Sequence, residues 1–541
     1  MRSASASSLQ PQGIFRPVRS GPDAIPRYLL MATETSTITS IQQEETTAVG
    51  RLLRKCFSFP VVLGAALVAA DFAAERSLRL DPDTWWHIKY GDLILSTGRW
   101  PTVDHWSFTA HGMPVLAYEW VGEILTALAY KFGGLRGMDL LLFVLSSIVV
   151  LLLYYYTWLR CRNAKAAFLG TLFVFPMAAL CFTLRPQMLG YSFLLITLIA
   201  LERFRQGEQK SLWLLPPLFL LWVNTHGSFV LGFMAMGLYW LGGLVDISAD
   251  GLQTERWRPS QRIHLELIAL LCLAVLPITP YGTQLAVVPV KYAFSLPLNL
   301  AHIDEWMPMN LGMWPAKLLL VLLFAWVVAQ LAFRMRYQIV DIVFLFLMTY
   351  LTFVHFRFVI FYAMFFAPIA ASVLARWIPA YDPRIDKHFI NAGLILAALG
   401  VFAWYFPSQA DLEKNVAKDY PVQAVQYMKE HPVPGPMFNN YGFGGYLVWS
   451  MAPAHKVFID GRGDLYEETG VFADYMKVVD INSSALAVLQ AYGVRSCIIP
   501  PQDALATLLS AAPAWKKIYA DRVAAIYVRI VEDPAHANAS S

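Results

Sequence analysis

The sequence is short of charge. Only 15% of its 541 residues are Asp, Glu, Lys or Arg, against about a quarter in ordinary soluble domains. Hydrophobic side chains make up 57% of the chain, and its mean hydropathy is +0.47. A water-soluble globule cannot hide so much apolar surface, so the composition predicts a mostly α, polytopic helical membrane protein.

Cysteine and nucleotide-binding motifs are also scarce. Of the five cysteines, only Cys497 lies outside the apolar runs and their edges, so a disulfide framework is excluded. No Walker motif occurs, and the glycines at 442–445 lack the strand and helix context of a dinucleotide-binding loop. The net charge of +4 is scattered between apolar runs, which argues against a nucleic-acid partner.

Composition divides the chain into three parts. Residues 1–50, rich in Ser, Thr and Gln, are expected to be a disordered cytoplasmic N-terminus, in which either Met1 or Met31 is the true start. Residues 51–406 are expected to form a transmembrane domain with an outer first loop at 76–138. Residues 407–541 are expected to form an extracytoplasmic α/β domain, about 410–532 in its folded part. In that domain the pattern predicts helices at 421–430 and 485–492, strands at 455–460 and 494–500, and two more strands within 516–530.

Eleven apolar runs are candidates for membrane spans. They lie at about 57–74, 139–159, 166–184, 188–202, 211–224, 228–246, 263–279, 314–333, 338–354, 358–375 and 389–406. If they alternate in direction, every turn on the side of the N-terminus is basic, and basic turns stay in the cytoplasm. The C-terminal domain is then expected on the outer, periplasmic side of the inner (plasma) membrane. The short runs 188–202 and 211–224 are either full crossings or re-entrant segments.

The first outer loop holds the densest group of polar side chains. Asp81 and Pro82 have the pattern of a helix N-cap followed by proline at the first helical position. Asp83 is then the carboxylate that is free for chemistry, unless it only complements the helix dipole. Asp104 and Glu119 add further carboxylates to the same loop. Tryptophans are frequent here too, and we expect them to form an interfacial aromatic belt: Trp85, Trp86, Trp106 and Trp120.

Three other outward-facing span ends carry a cation or an imidazole. These residues are Arg185, His226, and His355 with Arg357. A cation at the outer edge of a membrane needs an anionic partner, which is either a carboxylate of the chain or a lipid-linked phosphate. The loop between the seventh and eighth runs adds Asp304 and Glu305, which either close over the site or belong to a solvated loop.

An acidic motif in the first outer loop, many spans and an outer α/β domain together resemble the GT-C superfamily of lipid-phosphate-sugar glycosyltransferases. The chain looks most like the protein mannosyltransferase-like branch. Asp83 with Trp86, and Asp104 in PTVDHWS, match the acidic positions of that branch, although Thr84 stands where the family has Glu. The segment NYGFGGYL is similar in position to the Trp-Trp-Asp-Tyr-Gly motif of oligosaccharyltransferases, but it lacks the Trp-Trp-Asp, which argues against protein N-glycosylation.

The resemblance implies an inverting hexosyl- or pentosyltransferase with a polyprenyl-phosphate sugar as donor and a glycan, lipid or protein of the cell envelope as acceptor. Asp83 would be the general base, and the arginines would hold the departing phosphate and keep Asp83 ionised. The implied substrate-binding residues are Asp104, Glu119, Arg185, His226, Asp304, Glu305, His355 and Arg357. The resemblance leaves the donor sugar, the acceptor and the use of a divalent metal open.

Three alternatives remain at this point. A transporter or flippase of lipid-linked glycans would carry charges near span midpoints and have repeated halves. An O-antigen ligase or polymerase-like enzyme would use the same donors on the same face, among the same membrane lipids. A structural or assembly protein would leave the polar first loop without a function.

Overall fold

The computed structural model describes residues 48–74, 80–249 and 251–530, so nearly all of the segment 1–50, predicted to be disordered, lies outside the described residues. The chain forms two compact units, one up to Cys56 and one from Phe57 onward. The described part of the first unit is a single helix, α1 (Ala48–Cys56).

The second unit begins with a helical region. Its α-helices are α2 (Phe59–Ala74), α3 (Thr84–Thr97), α4 (Trp120–Cys161), α5 (Ala164–Ala179), α6 (Gln187–Arg205), α7 (Leu215–Val223), α8 (Phe229–Gly242), α9 (Pro259–Val275), α10 (Gln284–Ser295), α11 (Pro297–His302), α12 (Trp314–Phe333), α13 (Ile339–Val354), α14 (Val359–Leu374) and α15 (His388–Tyr405). Short 3-10 helices lie at Gln209–Leu214, Asp304–Trp306, Phe356–Phe358 and Pro383–Ile385. A hairpin of two antiparallel strands, β1 (Ile247–Ala249) and β2 (Leu252–Thr254), connects α8 to α9.

Each of the eleven predicted runs contains a helix, and the mostly α, polytopic membrane fold is confirmed. In the described residues, five helices are long and apolar enough to cross a membrane, or six if two consecutive helices count as one broken span. The run at 188–202 is a full-length helix, α6. The run at 211–224 is divided between a 3-10 helix and the nine-residue α7, which is roughly 14 Å long at 1.5 Å per residue and too short to cross by itself.

Helix α4 differs most from its predicted bounds. It has 42 residues, and its dihedral angles leave the helical range only at Gly134, where φ is 57° and ψ is −143°. Only glycine adopts such angles without strain, so the break falls at that residue. The segment before Gly134 belongs to the predicted first outer loop, which is therefore partly helical.

The C-terminal part of the unit is an α/β layer. Its elements are α16 (Gln409–Asp419), α17 (Val422–Glu430), β3 (Met437–Asn439), α18 (Tyr441–Met451), α19 (Gly463–Glu468), α20 (Val471–Val479), α21 (Ala485–Ala491), β4 (Ser496–Ile499), α22 (Ala504–Ala511), β5 (Trp515–Ala520) and β6 (Ala525–Arg529). The four strands are ordered β3-β4-β6-β5, with β3 parallel to β4 and the other pairs antiparallel.

Most of the predicted C-terminal elements form, but the strand predicted at 455–460 does not. In that segment Val457 makes only an isolated bridge to Ser107 of the first loop. Helix α18 was not predicted, because its glycines indicate turns. The structure explains them differently: a Cβ at Gly444 would lie 2.2 Å from the Ile459 carbonyl oxygen, and one at Gly445 would lie 2.2 Å from that of Pro82. The glycines allow close packing of a helix rather than a turn.

Helix α18 packs directly on α3, so the C-terminal domain and the first loop share a core. Trp85, only 1% exposed, contacts the rings of Tyr446 and Trp449. Trp86 and Trp106 are buried as well. The predicted interfacial belt is therefore wrong for these three tryptophans, since their large apolar surfaces are covered by the C-terminal domain.

A cavity of about 1190 Å³ lies between α2, α4 and α15. Its lining is almost entirely apolar, and α15 itself is poorly covered by the rest of the chain.

Candidate active site

Asp83 lies at the start of α3, where the chain makes a tight turn. The backbone N–H of Thr84 donates to the Asp81 carbonyl, and the N–H of Asp83 donates to Asp81 Oδ1 at 3.0 Å. The helix begins at Thr84 with Asp83 as its N-cap, so the prediction that Asp81 caps the helix is wrong. Asp81 stabilises the turn before the helix, as aspartates commonly do. The Asp83 carboxylate makes no capping bond and is free to face other parts of the chain.

Arg185, in the turn between α5 and α6, is the main partner of that carboxylate. Its Nη2 lies 2.5 Å from Asp83 Oδ2, while Trp86 Nε1 donates to Asp83 Oδ1 at 3.1 Å. Burial raises the pKa of Asp83 to about 7, and Arg185 opposes that rise. Burial and the ion pair with Arg185 therefore act in opposite directions on the charge of Asp83.

A second arginine joins the site through Glu305. Glu305 Oε2 lies 3.2 Å from Arg185 Nη1, and Oε1 lies 3.3 Å from Arg357 Nη1. The Arg357 guanidinium stacks on the Trp306 ring at 4.1 Å from the ring centroid. His355 is turned to the loop, with Nδ1 2.6 Å from the Trp306 carbonyl oxygen, so it supports the loop that carries Glu305.

Glu119 lies between two histidines. Its Oε2 is 3.4 Å from His87 Nε2, and its Oε1 is 3.4 Å from His226 Nε2. Since the N–H of Ser228 donates to His226 Nδ1, the ring proton of neutral His226 is on Nε2 and points at Glu119. Burial raises the pKa of Glu119 to about 8 and lowers that of His226 to about 3. The surroundings of Glu119 therefore favour the protonated, uncharged form of its carboxyl group.

His87 was missed by the sequence reasoning. Its Nδ1 lies 3.3 Å from Glu123 Oε1, so the ring stands between two carboxyl groups. Burial lowers the pKa of His87 well below its usual value. The ring makes one hydrogen bond, from Nδ1 to Glu123, and its buried Nε2 has no hydrogen-bond partner among the described residues. The pairing of residues 87 and 123 joins α3 to α4, and no local pattern in the sequence signals it.

Asp104 lies in a different cluster. It is 1% exposed and accepts bonds from Arg462 Nη1 at 2.6 Å and from Ser107 Oγ at 2.6 Å. Arg462 is also bound to both oxygens of Asp460. Burial acts to raise the pKa of Asp104, but Arg462 and the hydrogen bonds from Ser107 together hold it below its usual value. The oxygens of Asp104 join the first loop to the C-terminal domain, and its role in substrate binding stays a prediction.

The C-terminal domain reaches Asp83 through Gly461. A Cβ built on Gly461 would lie 1.5 Å from Asp83 Oδ1, so only glycine fits beside this carboxylate. The hydroxyl of Tyr441 donates to the Gly461 carbonyl at 3.4 Å. The loop 460–463 therefore packs against one side of Asp83.

Six of the nine predicted site residues lie together at one end of the helices. They are Asp83, Glu119, Arg185, His226, Glu305 and Arg357. His355 lies at the edge of the group, Asp304 is exposed to solvent, and Asp104 is apart from it. In the described ranges, no three His, Cys, Asp or Glu side chains are arranged to hold a metal ion, so the residues do not fit one.

No protein-family model and no curated protein matches the sequence. Several solved structures, however, are similar to the chain. An Archaeoglobus fulgidus oligosaccharyltransferase tethered to an acceptor peptide is 14% identical, with a TM-score of 0.49 over 81% of this chain and 69% of that one. Arabinofuranosyltransferase AftD from Mycobacteria is 14% identical, with a TM-score of 0.47 over 88% of this chain and 42% of that one. ArnT from Cupriavidus metallidurans, bound to undecaprenyl phosphate, is 12% identical, with a TM-score of 0.47 over 90% of this chain and 99% of that one.

The first two are named as an oligosaccharyltransferase and an arabinofuranosyltransferase. With TM-scores below 0.5 all three are similar to this chain in overall arrangement only. A function for the chain has to rest on its own site.

Proposed function

We propose that the chain is a membrane glycosyltransferase that takes a sugar from a polyprenyl-phosphate donor and transfers it to a glycan, lipid or protein acceptor of the cell envelope. The observation that carries the proposal is the meeting of Asp83, Arg185 and Arg357 at the ends of apolar helices. Arginines beside a membrane need an anion, and with no donor bound the carboxylates of Asp83 and Glu305 supply it. A phosphate attached to a lipid is an anion that reaches such a place and competes for the same guanidinium groups.

Asp83 acts as the general base in an inverting, single-displacement transfer. Its carboxylate accepts the proton of the acceptor hydroxyl as that oxygen attacks the anomeric carbon of the sugar, and the bond from this carbon to the phosphate oxygen breaks. A pKa of about 7 suits this role, because the group is partly ionised at neutral pH and still basic enough to take a proton.

The two arginines stabilise the leaving phosphate. The charge on that group grows as its bond to the sugar breaks, and fixed guanidinium groups in a partly buried site favour this charge without reorganising. Glu119, held by His87 and His226, offers hydrogen bonds to sugar hydroxyls on the other side of Asp83. No step of this reaction passes through a metal ion.

The basic turns favour one orientation. With Lys and Arg in each turn on the side of the N-terminus, that terminus lies in the cytoplasm and the site faces the outer side of the inner (plasma) membrane. The C-terminal domain then lies outside as well, as its packing against the first loop requires.

The experiment compares transfer with transport. Purified protein is reconstituted in lipid vesicles with a polyprenyl-phosphate donor labelled in its sugar, and with cell-envelope material as acceptor. Label in the acceptor, together with free polyprenyl phosphate, supports the proposal. Movement of intact donor across the bilayer, with no label in any acceptor, would instead identify a flippase.

A further inference from the structure

Glu305 occupies the space between the two arginines. One of its oxygens contacts Arg185 at 3.2 Å, and the other contacts Arg357 at 3.3 Å. A phosphate can bridge two guanidinium groups with two of its oxygens in the same way, because planar guanidinium groups bind carboxylate and phosphate with the same geometry.

We propose that the carboxylate of Glu305 fills the subsite for the donor phosphate, and that the phosphate displaces this carboxylate when the donor binds. The inference rests on the proposed function, since it requires a donor that carries a phosphate. It adds the position of the phosphate group and the residue that must leave to admit it.

Of the carboxylates in the site, Glu305 can move away from the arginines with the smallest loss of packing and hydrogen bonds. Its side chain is 27% exposed, against 12% for Asp83. Asp83 is fixed by the turn before α3 and by Trp86, and Asp81 is fixed by its bond to the backbone. Each oxygen of Glu305 contacts one of the two arginines. When Glu305 leaves, the phosphate makes these two contacts instead, so neither arginine loses its anion.

The loop around Glu305 is fixed by backbone hydrogen bonds on both sides. Rotation of the Glu305 side chain is therefore enough to free the space between the arginines, with no movement of the loop. Before it, Glu467 accepts bonds from the backbone N–H groups of Leu298 and Asn299 at 2.7 and 2.9 Å. After it, the N–H of Phe356 donates to the Met307 carbonyl at 3.0 Å. Arg357 keeps its contact with Trp306 whichever anion is bound. The arginine is therefore preorganised for phosphate.

Charge makes the two occupants exclusive. Burial acts to raise the pKa of Glu305, but Arg357 and Arg185 hold it below its usual value, so the carboxylate is ionised at neutral pH. In the donor the phosphate is a diester of the sugar and the lipid, with one negative charge and two free oxygens, so it matches the carboxylate as a partner for both guanidinium groups. After transfer the group is a monoester, which carries up to two negative charges and binds the arginines more strongly. The phosphate and the carboxylate are like charges that need the same two guanidinium groups, so one displaces the other.

The test measures binding of a polyprenyl phosphate to the purified full-length protein. We expect Glu305→Gln to tighten binding about three- to tenfold, because the competing anion is gone and the competent state is more populated. Glu430→Gln is the matched control: it makes the same change of side chain and charge at the exposed end of α17, outside the group of predicted site residues. We expect it to change the affinity less than about twofold.

The outcomes separate this inference from the proposed function. Unchanged or weaker binding by Glu305→Gln, with binding still weakened at least tenfold in Arg357→Ala, overturns the exchange but leaves phosphate binding in place. An affinity that Arg357→Ala leaves unchanged overturns phosphate binding by this site. Glu305→Ala repeats the test if the Gln variant unfolds. Inorganic phosphate is the second probe: a gain seen with it and not with polyprenyl phosphate would show that the subsite takes a free phosphate, which also contradicts the inference.

Discussion

Replacing Asp83 by Asn removes the proposed base while keeping its size. In the native protein the two carboxylate oxygens each have a donor, Trp86 Nε1 at 3.1 Å and Arg185 Nη2 at 2.5 Å. Asn has only one acceptor oxygen, so one of these two donors would face an NH₂ group. Leaving a buried donor unsatisfied costs about 1–3 kcal/mol of stability. Loss of the base should lower the rate of sugar transfer by about 10²–10⁴-fold, a larger change than the stability loss explains.

Asp81→Asn is the matched control. The Asn side chain keeps an oxygen to accept the N–H of Asp83, which Asp81 Oδ1 does at 3.0 Å. It loses only a 3.5 Å contact with Arg185, in which both side chains are partly exposed. A pair of this kind contributes about 0–1 kcal/mol. Transfer by this variant should therefore stay within about fivefold of the native rate.

The assay follows transfer from a labelled polyprenyl-phosphate donor at equal amounts of folded protein, with thermal unfolding measured alongside. A loss of transfer in Asp81→Asn with transfer retained in Asp83→Asn would reverse the two roles. Native rates in both variants would show that the start of α3 is not where the chemistry occurs.

Four further predictions follow from single contacts. Arg357→Ala should weaken binding of polyprenyl phosphate roughly ten- to a hundredfold, the loss of about 1.5–3 kcal/mol from one charge-assisted contact, as measured by titration. Gly461→Ala should lower transfer about 10²-fold with donor binding retained, because the new methyl group would lie 1.5 Å from Asp83 Oδ1. Arg462→Met should lower the free energy of unfolding by about 3–5 kcal/mol, since it leaves two buried aspartates unpaired. The initial rate should fall below pH about 7, where Asp83 binds a proton and can no longer accept one; a flat rate through this pH would exclude Asp83 as the titrating base.

The helical part of the fold could be predicted because apolar runs are a local property. Each run contains a helix, but the length of that helix is visible only in the structure: the run at 211–224 contains only the nine-residue α7. That Arg185 and Arg357 belong to a site could also be predicted from the local sequence. A cation at the end of an apolar helix is costly without an anion, so its presence indicates a site.

Pairings across long sequence distances could not be predicted. Asp104 has the type and the position of a site residue, but its partner is Arg462, 358 positions away. The glycines of α18 are typical of turns, and only the backbone packed against them explains why they stand in a helix. In both cases the deciding contact joins the first loop to the C-terminal domain, and a single sequence does not show which distant segments meet.

The central claim is that the donor phosphate binds between Arg185 and Arg357, beside Asp83. The most direct measurement is an electron cryomicroscopy map of the purified protein with polyprenyl phosphate bound. The account predicts phosphate density that bridges the two guanidinium groups, with the side chain of Glu305 turned away. Phosphate density at the basic turns on the opposite side, with Glu305 still bound to both arginines, would contradict it.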